Sequence, residues 1–145
     1  MALKTLRATG HMGAGMTIEI MCGEHKIYMD QPKSAGGANL GAAPPELILA
    51  AYAGCVGSLG RIIAFQEKIT LHGMTFEVEA DYDPDCLLGR ETTARAGFQE
   101  MRLKVTIDAD LDDVAKQAFL DKIEARCPVA DNLINSTKLV TVLAQ

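Results

Sequence analysis

The sequence lacks tryptophan, has only 5% aromatic residues and contains no block of like charges. Its 14 lysines and arginines are scattered and outnumbered by 19 acidic residues, which gives a net charge of −5. Because no basic stripe could displace counterions from phosphates, we do not expect nucleic acid as a partner. The 48% hydrophobic content excludes a disordered chain, and 145 residues suit one domain, residues 1–145.

Long hydrophobic runs are also missing. The longest uncharged run, Leu47 to Gly60, has 14 residues, short of the roughly 18 needed to suggest a membrane span. Residues 1–7 show no apolar stretch ahead of a small-residue cleavage site. We therefore expect a cytoplasmic protein without a membrane partner.

The four cysteines, at positions 22, 55, 86 and 127, do not form a disulfide-scaffold pattern. In a reducing compartment they are free thiols or redox catalysts. Cys22 and His25 form a single C-x-x-H, and no second pair completes the four ligands of a structural zinc site. We predict no metal site on this ground.

Two further patterns resemble binding loops only in part. The segment 81–85 resembles the start of a calcium loop, but Cys86 and Thr92 stand where that loop has glycine and glutamate. The segment 36–41 precedes a helix without the ending of a phosphate-binding loop. We read the first as a solvated acidic turn and the second as a flexible loop over a site at the helix N-terminus.

The N-terminal third reads as strands. Residues 16–21 and 25–29 alternate partly in polarity around Cys22-Gly23-Glu24, which predicts a hairpin, and a strand is expected before it, from Leu3 to Thr9. The glycine-rich segment 32–43 predicts a loop. Proline is tolerated in the first turn of a helix, so Pro44-Pro45 predicts a helix that runs to about Lys68.

That first helix is apolar or small on every side from Leu47 to Gly60. Such a helix must be covered all round, and one sheet and one other helix can hardly enclose it. We therefore predict that a second copy of the chain covers the remainder. Gly54, Gly57 and Gly60 each cost roughly 1 kcal/mol of helix propensity relative to alanine, which favours close approach of another backbone.

The second half combines two strands with a helix. Alternating polarity predicts strands over 74–80 and 101–107. Asp108 or Asp110 is the expected cap of a second helix, and Arg126 in its last turn complements the helix dipole. A short turn through 131–132 and a last strand, 138–143, are expected to finish the chain.

Cys127 ends the row Ala115, Phe119, Ile123, which repeats every four residues and predicts a buried ridge. Pro128 disfavours helical geometry at the residue before it, so Cys127 is expected at a helix terminus. Cys55 lies mid-helix in apolar company, where a cysteine alone is most simply a small hydrophobe. If the two helices pack in one core, however, the two thiols could face each other and form a reversible disulfide.

Three segments together resemble the OsmC/Ohr family of thiol peroxidases: Gly36-Gly37, the run Pro45-Glu46-Leu47-Ile48-Leu49-Ala50-Ala51 that leads to Cys55, and Cys127-Pro128-Val129. The order of elements extends the resemblance over essentially the whole chain. It implies an α+β fold with antiparallel β-sheets wrapped around two central helices, in an intertwined homodimer. The Gly-Gly loop places the sequence nearer the OsmC-like branch.

The resemblance also implies a chemistry. Cys55 would attack an organic hydroperoxide and become a sulfenic acid, and Cys127 would resolve it into a disulfide. An external dithiol of the lipoyl type would reduce that disulfide, with no bound cofactor and no metal. The implied role is defence against oxidative or osmotic stress.

The sequence departs from the best-studied members at the residues that activate the first cysteine. An arginine of the loop and a glutamate ten residues before the cysteine serve there, whereas this chain has Pro45 at that position and Lys33 as the only cation of the loop. Glu46 is nine residues before Cys55, about 900° of helix rotation, which places it on the opposite side. Lys33, Arg7 or Arg126 would have to substitute. Two alternatives follow: a non-catalytic protein that binds an apolar ligand, and a redox sensor.

Overall fold

A computed structural model describes residues 1–144 and divides the chain into two compact units, Met1–Ile48 and Leu49–Gln145. It contains antiparallel sheets and four α-helices, so the predicted α+β class is confirmed. The elements in chain order are β1 (Ala8–Met12), β2 (Ile18–Cys22), β3 (His25–Met29), α1 (Pro44–Glu67), β4 (Leu71–Asp81), α2 (Pro84–Leu87), β5 (Glu100–Ala109), α3 (Asp113–Arg126) and α4 (Pro128–Ile134).

The first unit holds a three-stranded antiparallel sheet in the order β1-β2-β3. The predicted hairpin is present, and Gly23 in its turn has a φ of 61°, a value that favours glycine. The strand predicted over residues 3–9 is wrong, because β1 begins at Ala8, opposite Cys22. Since β2 ends in the turn beyond Cys22, the residues before Ala8 have no strand to pair with.

The segment before α1 is organised around one buried carboxylate. Asp30 is 2% exposed and accepts four hydrogen bonds, from the Thr17 hydroxyl at 2.9 Å and from the backbone N–H groups of Gln31, Ala38 and Leu40 at 2.7, 3.3 and 3.2 Å. A Cβ atom at Gly37 would lie 1.9 Å from the Gln31 carbonyl oxygen, so only glycine fits there. The segment expected to be a flexible loop is thus held closely against Asp30.

Helix α1 begins and ends as predicted. Pro44 and Pro45 occupy its first turn, where the Glu46 carboxylate accepts a hydrogen bond from the Ala43 N–H at 2.8 Å. It ends at Glu67, followed by Lys68 with a left-handed φ of 56°.

Much of the apolar surface of α1 is uncovered in the single chain. Only 22% of its most apolar 18-residue window is buried, and Phe65 is 86% exposed. By length and composition alone, α1 is long and apolar enough to cross a membrane.

The core of the second unit forms where α1, α3 and the β4-β5 sheet meet. Strands β4 and β5 pair antiparallel, with Phe76 opposite Val105. The buried residues of this core come from all of these elements: Val56, Ile63, Ala64, Leu71, Ile107, Phe119 and Ile123. The predicted ridge of α3 is therefore present, since Phe119, Ile123 and Cys127 are all buried.

The glycines of α1 have a different explanation from the predicted one. A Cβ atom at Gly60 would lie 2.6 Å from the Met74 sulfur, and one at Gly57 would lie 3.0 Å from the Phe76 ring. Side chains of β4 in the same chain, rather than another backbone, therefore occupy the space at these two positions. Gly54 has no atom within 4 Å of such a Cβ among the described residues.

Helix α3 begins later than predicted. Its cap is Asp112, whose side chain accepts from the Ala115 N–H at 2.8 Å, so the prediction of Asp108 or Asp110 is wrong. Strand β5 extends to Ala109, and the Asp110 N–H donates to the Thr70 carbonyl at 3.0 Å. Asp108 and Asp110 therefore lie at the end of the β4-β5 sheet and not at the start of α3.

The chain after Cys127 also differs from the prediction. The turn expected at 131–132 lies inside α4, because Pro128 stands at the first position of a helix, as Pro44 does in α1. The strand predicted over 138–143 is absent from the described chain. Four apolar residues there are instead 73–95% exposed: Leu139, Val140, Val142 and Leu143.

We predict that Asp30→Asn lowers the thermal midpoint by roughly 5 °C or more, because an amide cannot accept from all four donors. Burial acts to raise the pKa of Asp30, but its backbone and hydroxyl donors hold the pKa below its usual value. A group with a depressed pKa in the folded state stabilises the fold above the unfolded value, about 3.9, and loses that effect as the pH falls through the folded pKa.

Thermal unfolding at pH 7 and across the range below pH 4 tests this. The wild type should lose more stability in acid than Asp30→Asn does, and Asp108→Asn, a change at an exposed carboxylate, is the control. Equal midpoints for Asp30→Asn and the wild type at pH 7 would contradict the assigned role.

Candidate functional site

Two cysteines 72 positions apart are delivered to one place by α1 and by the junction of α3 and α4. Cys55 lies in the middle of α1. Cys127 has extended backbone angles, φ −78° and ψ 110°, and both ends α3 and caps α4. Its position at a helix terminus follows from Pro128, as predicted.

The sulfurs of Cys55 and Cys127 are 2.8 Å apart, and the Cys127 thiol donates to Cys55. Cys127 is 2% exposed, whereas Cys55 is only half-buried and so can be reached from outside the core. Both are free thiols. Since a disulfide has sulfurs about 2.05 Å apart, a movement of less than about 1 Å would join them.

The N-terminal turn of α4 offers a hydrogen bond to each sulfur. The Ala130 N–H donates to Cys127 at 3.3 Å, and the Val129 N–H donates to Cys55. Pro128 at the preceding position has no N–H of its own. Two successive backbone amides thus face the two sulfurs, an arrangement that favours negative charge on either one.

The pKa of Cys55 is nevertheless raised above that of a free cysteine. Burial is the largest cause, and the hydrogen bond with Cys127 adds to it where Cys55 holds the shared proton, while the Val129 N–H acts in the opposite direction. No cation of the second unit, within residues 49–144, contributes to this balance. The protonated thiol is therefore the dominant form of Cys55 at neutral pH.

Of the cations considered from the sequence, only Arg126 belongs to the second unit, and it does not contribute to the pKa of Cys55. The Arg126 guanidinium donates to the Gln66 side chain at 3.0 Å, at the surface. Arg61, which no sequence pattern indicated, donates to the Leu71 carbonyl at 2.7 Å. Lys33 and Arg7 belong to the first unit.

Sequence reasoning missed two ionisable neighbours of the thiols, Tyr52 and Glu124. Tyr52 is half-buried and packs against the core cluster. Burial raises its pKa, and the charges of Glu124, Cys127 and Cys55 raise it further. The spacing offered a signal for Tyr52, because it precedes Cys55 by three residues in α1, which places the pair on one helix face.

The aspartates of the segment that resembles a calcium loop bind other residues of the chain. Within the acidic segment, Asp81 pairs with Arg102 at 2.6 Å and Asp85 with Arg90 at 3.0 Å. Asp83 accepts from the Asp85 N–H and from the Thr92 hydroxyl, both at 2.9 Å. Within residues 1–144, no cluster of three or more histidine, cysteine or acidic residues has the geometry to hold a metal ion.

Comparisons with known proteins agree on one family. The family model described as OsmC-like protein matches residues 36–142, which span both compact units. A search of curated proteins returned no match.

Solved structures with this fold cover nearly the whole chain. An OsmC-like protein from Mycoplasma pneumoniae is 19% identical, with a TM-score of 0.78 over 92% of this chain and 89% of its own. The organic hydroperoxide resistance protein OsmC from Legionella pneumophila is 27% identical, with a TM-score of 0.67 over 94% and 93%. OhrB of Bacillus subtilis, an organic hydroperoxide resistance protein, is 21% identical, with a TM-score of 0.59 over 93% and 94%.

Two substitutions should move the pKa of Cys55 in opposite directions. Cys127→Ala removes a hydrogen bond and a charge that raise it, so the pKa should fall. Val129→Pro removes the N–H that lowers it, so the pKa should rise. Proline at this second helical position is tolerated in principle, since Pro45 occupies the same position in α1.

The measurement is the pH dependence of Cys55 alkylation, in a background where Cys22 and Cys86, both exposed, are serine. Val129→Ala keeps the N–H and serves as the control for Val129→Pro. A shift of both variants in the same direction would show that the two contacts do not act on Cys55 as described.

Proposed function

Because the chain belongs to the OsmC-like family, we propose that it is a thiol-dependent peroxidase that reduces organic hydroperoxides. Cys55 is the attacking residue and Cys127 the resolving residue. The observation that carries the proposal is the 2.8 Å separation of the two sulfurs, with one of them half-buried and the other fully buried. Relatives from Legionella pneumophila and Bacillus subtilis named for organic hydroperoxide resistance support the choice of substrate.

The first half-reaction uses Cys55 as a thiolate, with the Val129 N–H stabilising its charge. The sulfur attacks the terminal oxygen of the hydroperoxide, the O–O bond breaks, and the organic part leaves as an alcohol after gaining a proton. Cys55 is now a sulfenic acid. The sulfur has been oxidised by two electrons and the peroxide reduced by two.

In the second half-reaction the Cys127 sulfur attacks the sulfenic sulfur, a water molecule leaves, and a disulfide joins Cys55 and Cys127. The short movement required makes this step faster than reaction with an outside thiol. An external dithiol of the lipoyl type then reduces the disulfide by exchange and restores both thiols. These reactions suit the reducing cytoplasm, where we place the protein, and a role in defence against oxidative or osmotic stress.

Consumption of cumene hydroperoxide with dihydrolipoamide as reductant tests the assignment. Cys55→Ser should lose at least about 10³-fold in kcat/KM, because a serine hydroxyl is a far weaker nucleophile at neutral pH. Cys127→Ser should complete one rapid turnover of peroxide and then continue only at the slower rate at which dihydrolipoamide itself attacks the sulfenic acid. Cys22→Ser and Cys86→Ser, the matched controls at exposed cysteines, should keep the activity of the wild type.

The two alternative functions are distinguished by the same assay. An apolar-ligand protein would bind a hydrophobic probe without consuming peroxide, whereas a redox sensor would form the disulfide slowly and without turnover. If the wild type consumes peroxide no faster than Cys55→Ser, the enzymatic function is wrong.

We also propose that a second copy of this chain covers α1. Phe65 and Ile62 lie on one face of the helix and are 86% and 47% exposed, and the apolar segment after Ser136 is almost fully exposed as well. Apolar surfaces of this size on a single chain indicate an interaction surface. The resemblance to a family of intertwined homodimers makes a second copy the occupant, rather than a membrane.

Sedimentation in detergent-free buffer tests this. The wild type should have twice the 15.5 kDa mass of the chain. Phe65→Glu should raise the dimer dissociation constant at least about tenfold, because it places a charge in an apolar interface. Phe65→Leu, which keeps the site apolar, should remain dimeric. A wild type that is monomeric, or that stays in solution only with detergent or lipid, would contradict a dimer.

A further inference from the structure

Cleavage of an alkyl hydroperoxide requires a proton as well as a thiolate. An alkoxide is a poor leaving group, so a donor at the oxygen that departs accelerates the step, typically 10²- to 10⁴-fold. The loop before α1 lacks the arginine that activates the first cysteine in the best-studied members of the family. Within residues 49–144 of the second unit, no cation acts on Cys55.

Tyr52 is placed to supply that proton. It lies one turn before Cys55 on the same face of α1, where residues three apart have Cβ atoms about 5–6 Å from each other. Its ring packs against the core, which fixes the position of the hydroxyl relative to the helix. The hydroxyl takes part in none of the side-chain hydrogen bonds found among residues 1–144, so it is available to a ligand.

Tyr52 also has the protonation state that a donor needs. Burial raises its pKa above the usual 10, and the neighbouring Glu124, Cys127 and Cys55 raise it further. The hydroxyl therefore stays protonated when Cys55 is a thiolate. By contrast, Cys127 must keep its thiol for the second half-reaction, and Glu124 lies on the exposed face of α3.

We propose that Tyr52 is a catalytic residue whose hydroxyl donates a proton to the alkoxide that leaves when Cys55 cleaves an organic hydroperoxide. The inference rests on the proposed peroxidase function and names a further residue for it. The Cys55 sulfur forms a bond to the terminal oxygen and the O–O pair passes to the other oxygen. The Tyr52 O–H bond breaks as the alcohol forms, and the phenolate recovers a proton from water.

A pair of substrates separates this role from a structural one. Cumene hydroperoxide releases an alkoxide, which must gain a proton. Peracetic acid releases a carboxylate, which is stable without a proton because the pKa of its acid is only about 4 to 5. Tyr52→Phe should therefore lower kcat/KM for cumene hydroperoxide about 10²-fold and change that for peracetic acid less than about threefold. Tyr82→Phe, the same change at an exposed tyrosine, should leave both values unchanged.

The alkylation rate of Cys55 and the thermal midpoint are measured on the same variants to confirm an intact thiol site. Equal losses with both substrates would assign Tyr52 a packing role and overturn the inference, as would no loss with either. If the wild type consumes neither peroxide, the proposed function itself fails, and the inference with it. If the wild type consumes both and only the Tyr52→Phe selectivity is absent, the peroxidase function stands and the inference alone is wrong.

Discussion

The contact between the Cys55 and Cys127 sulfurs, 2.8 Å long across 72 positions of sequence, is the constraint on which the site depends. It needs Cys127 outside a helix and yet fully buried. Pro128 satisfies the first requirement by ending α3 and beginning α4 at the next residue. Phe119 and Ile123 satisfy the second, because they anchor α3 in the core one and two turns earlier. The geometry of the thiol pair is thus a product of one proline and one buried ridge.

The same burial opposes the chemistry. Removal of water from Cys55 raises its pKa and reduces the fraction of thiolate, while the N–H of Val129 partly restores it. Proteins commonly offset such a cost with a nearby cation, and the described part of the second unit supplies none to Cys55. Backbone dipoles at the start of α4 and a protonated phenol on α1 are a different solution, in which the field comes from neutral groups whose positions the helices fix.

Packing within one chain also leaves apolar side chains exposed. Helix α1 packs Val56, Ile63 and Ala64 into the core but exposes Ile62 and Phe65 on another face. The closing segment of the chain is apolar and uncovered as well. The apolar residues on all sides of α1 predicted that one chain would leave part of the helix exposed. Gly57 and Gly60, however, which favoured the approach of another backbone, pack against β4 of the same chain.

The sequence by itself determined the features that depend on neighbouring residues. These are the hairpin around Gly23, the start of α1 at Pro44 and the position of Cys127 before Pro128, because turns, proline geometry and side-chain periodicity act over a few residues. The cap at Asp112 was decided by how far β5 continues its pairing with β4. Whether residues 138–143 pair as a strand depends on a partner that the described chain does not provide. Tertiary structure alone decided that the two sulfurs meet, since this contact arises from packing between elements far apart in the chain, which no local pattern encodes.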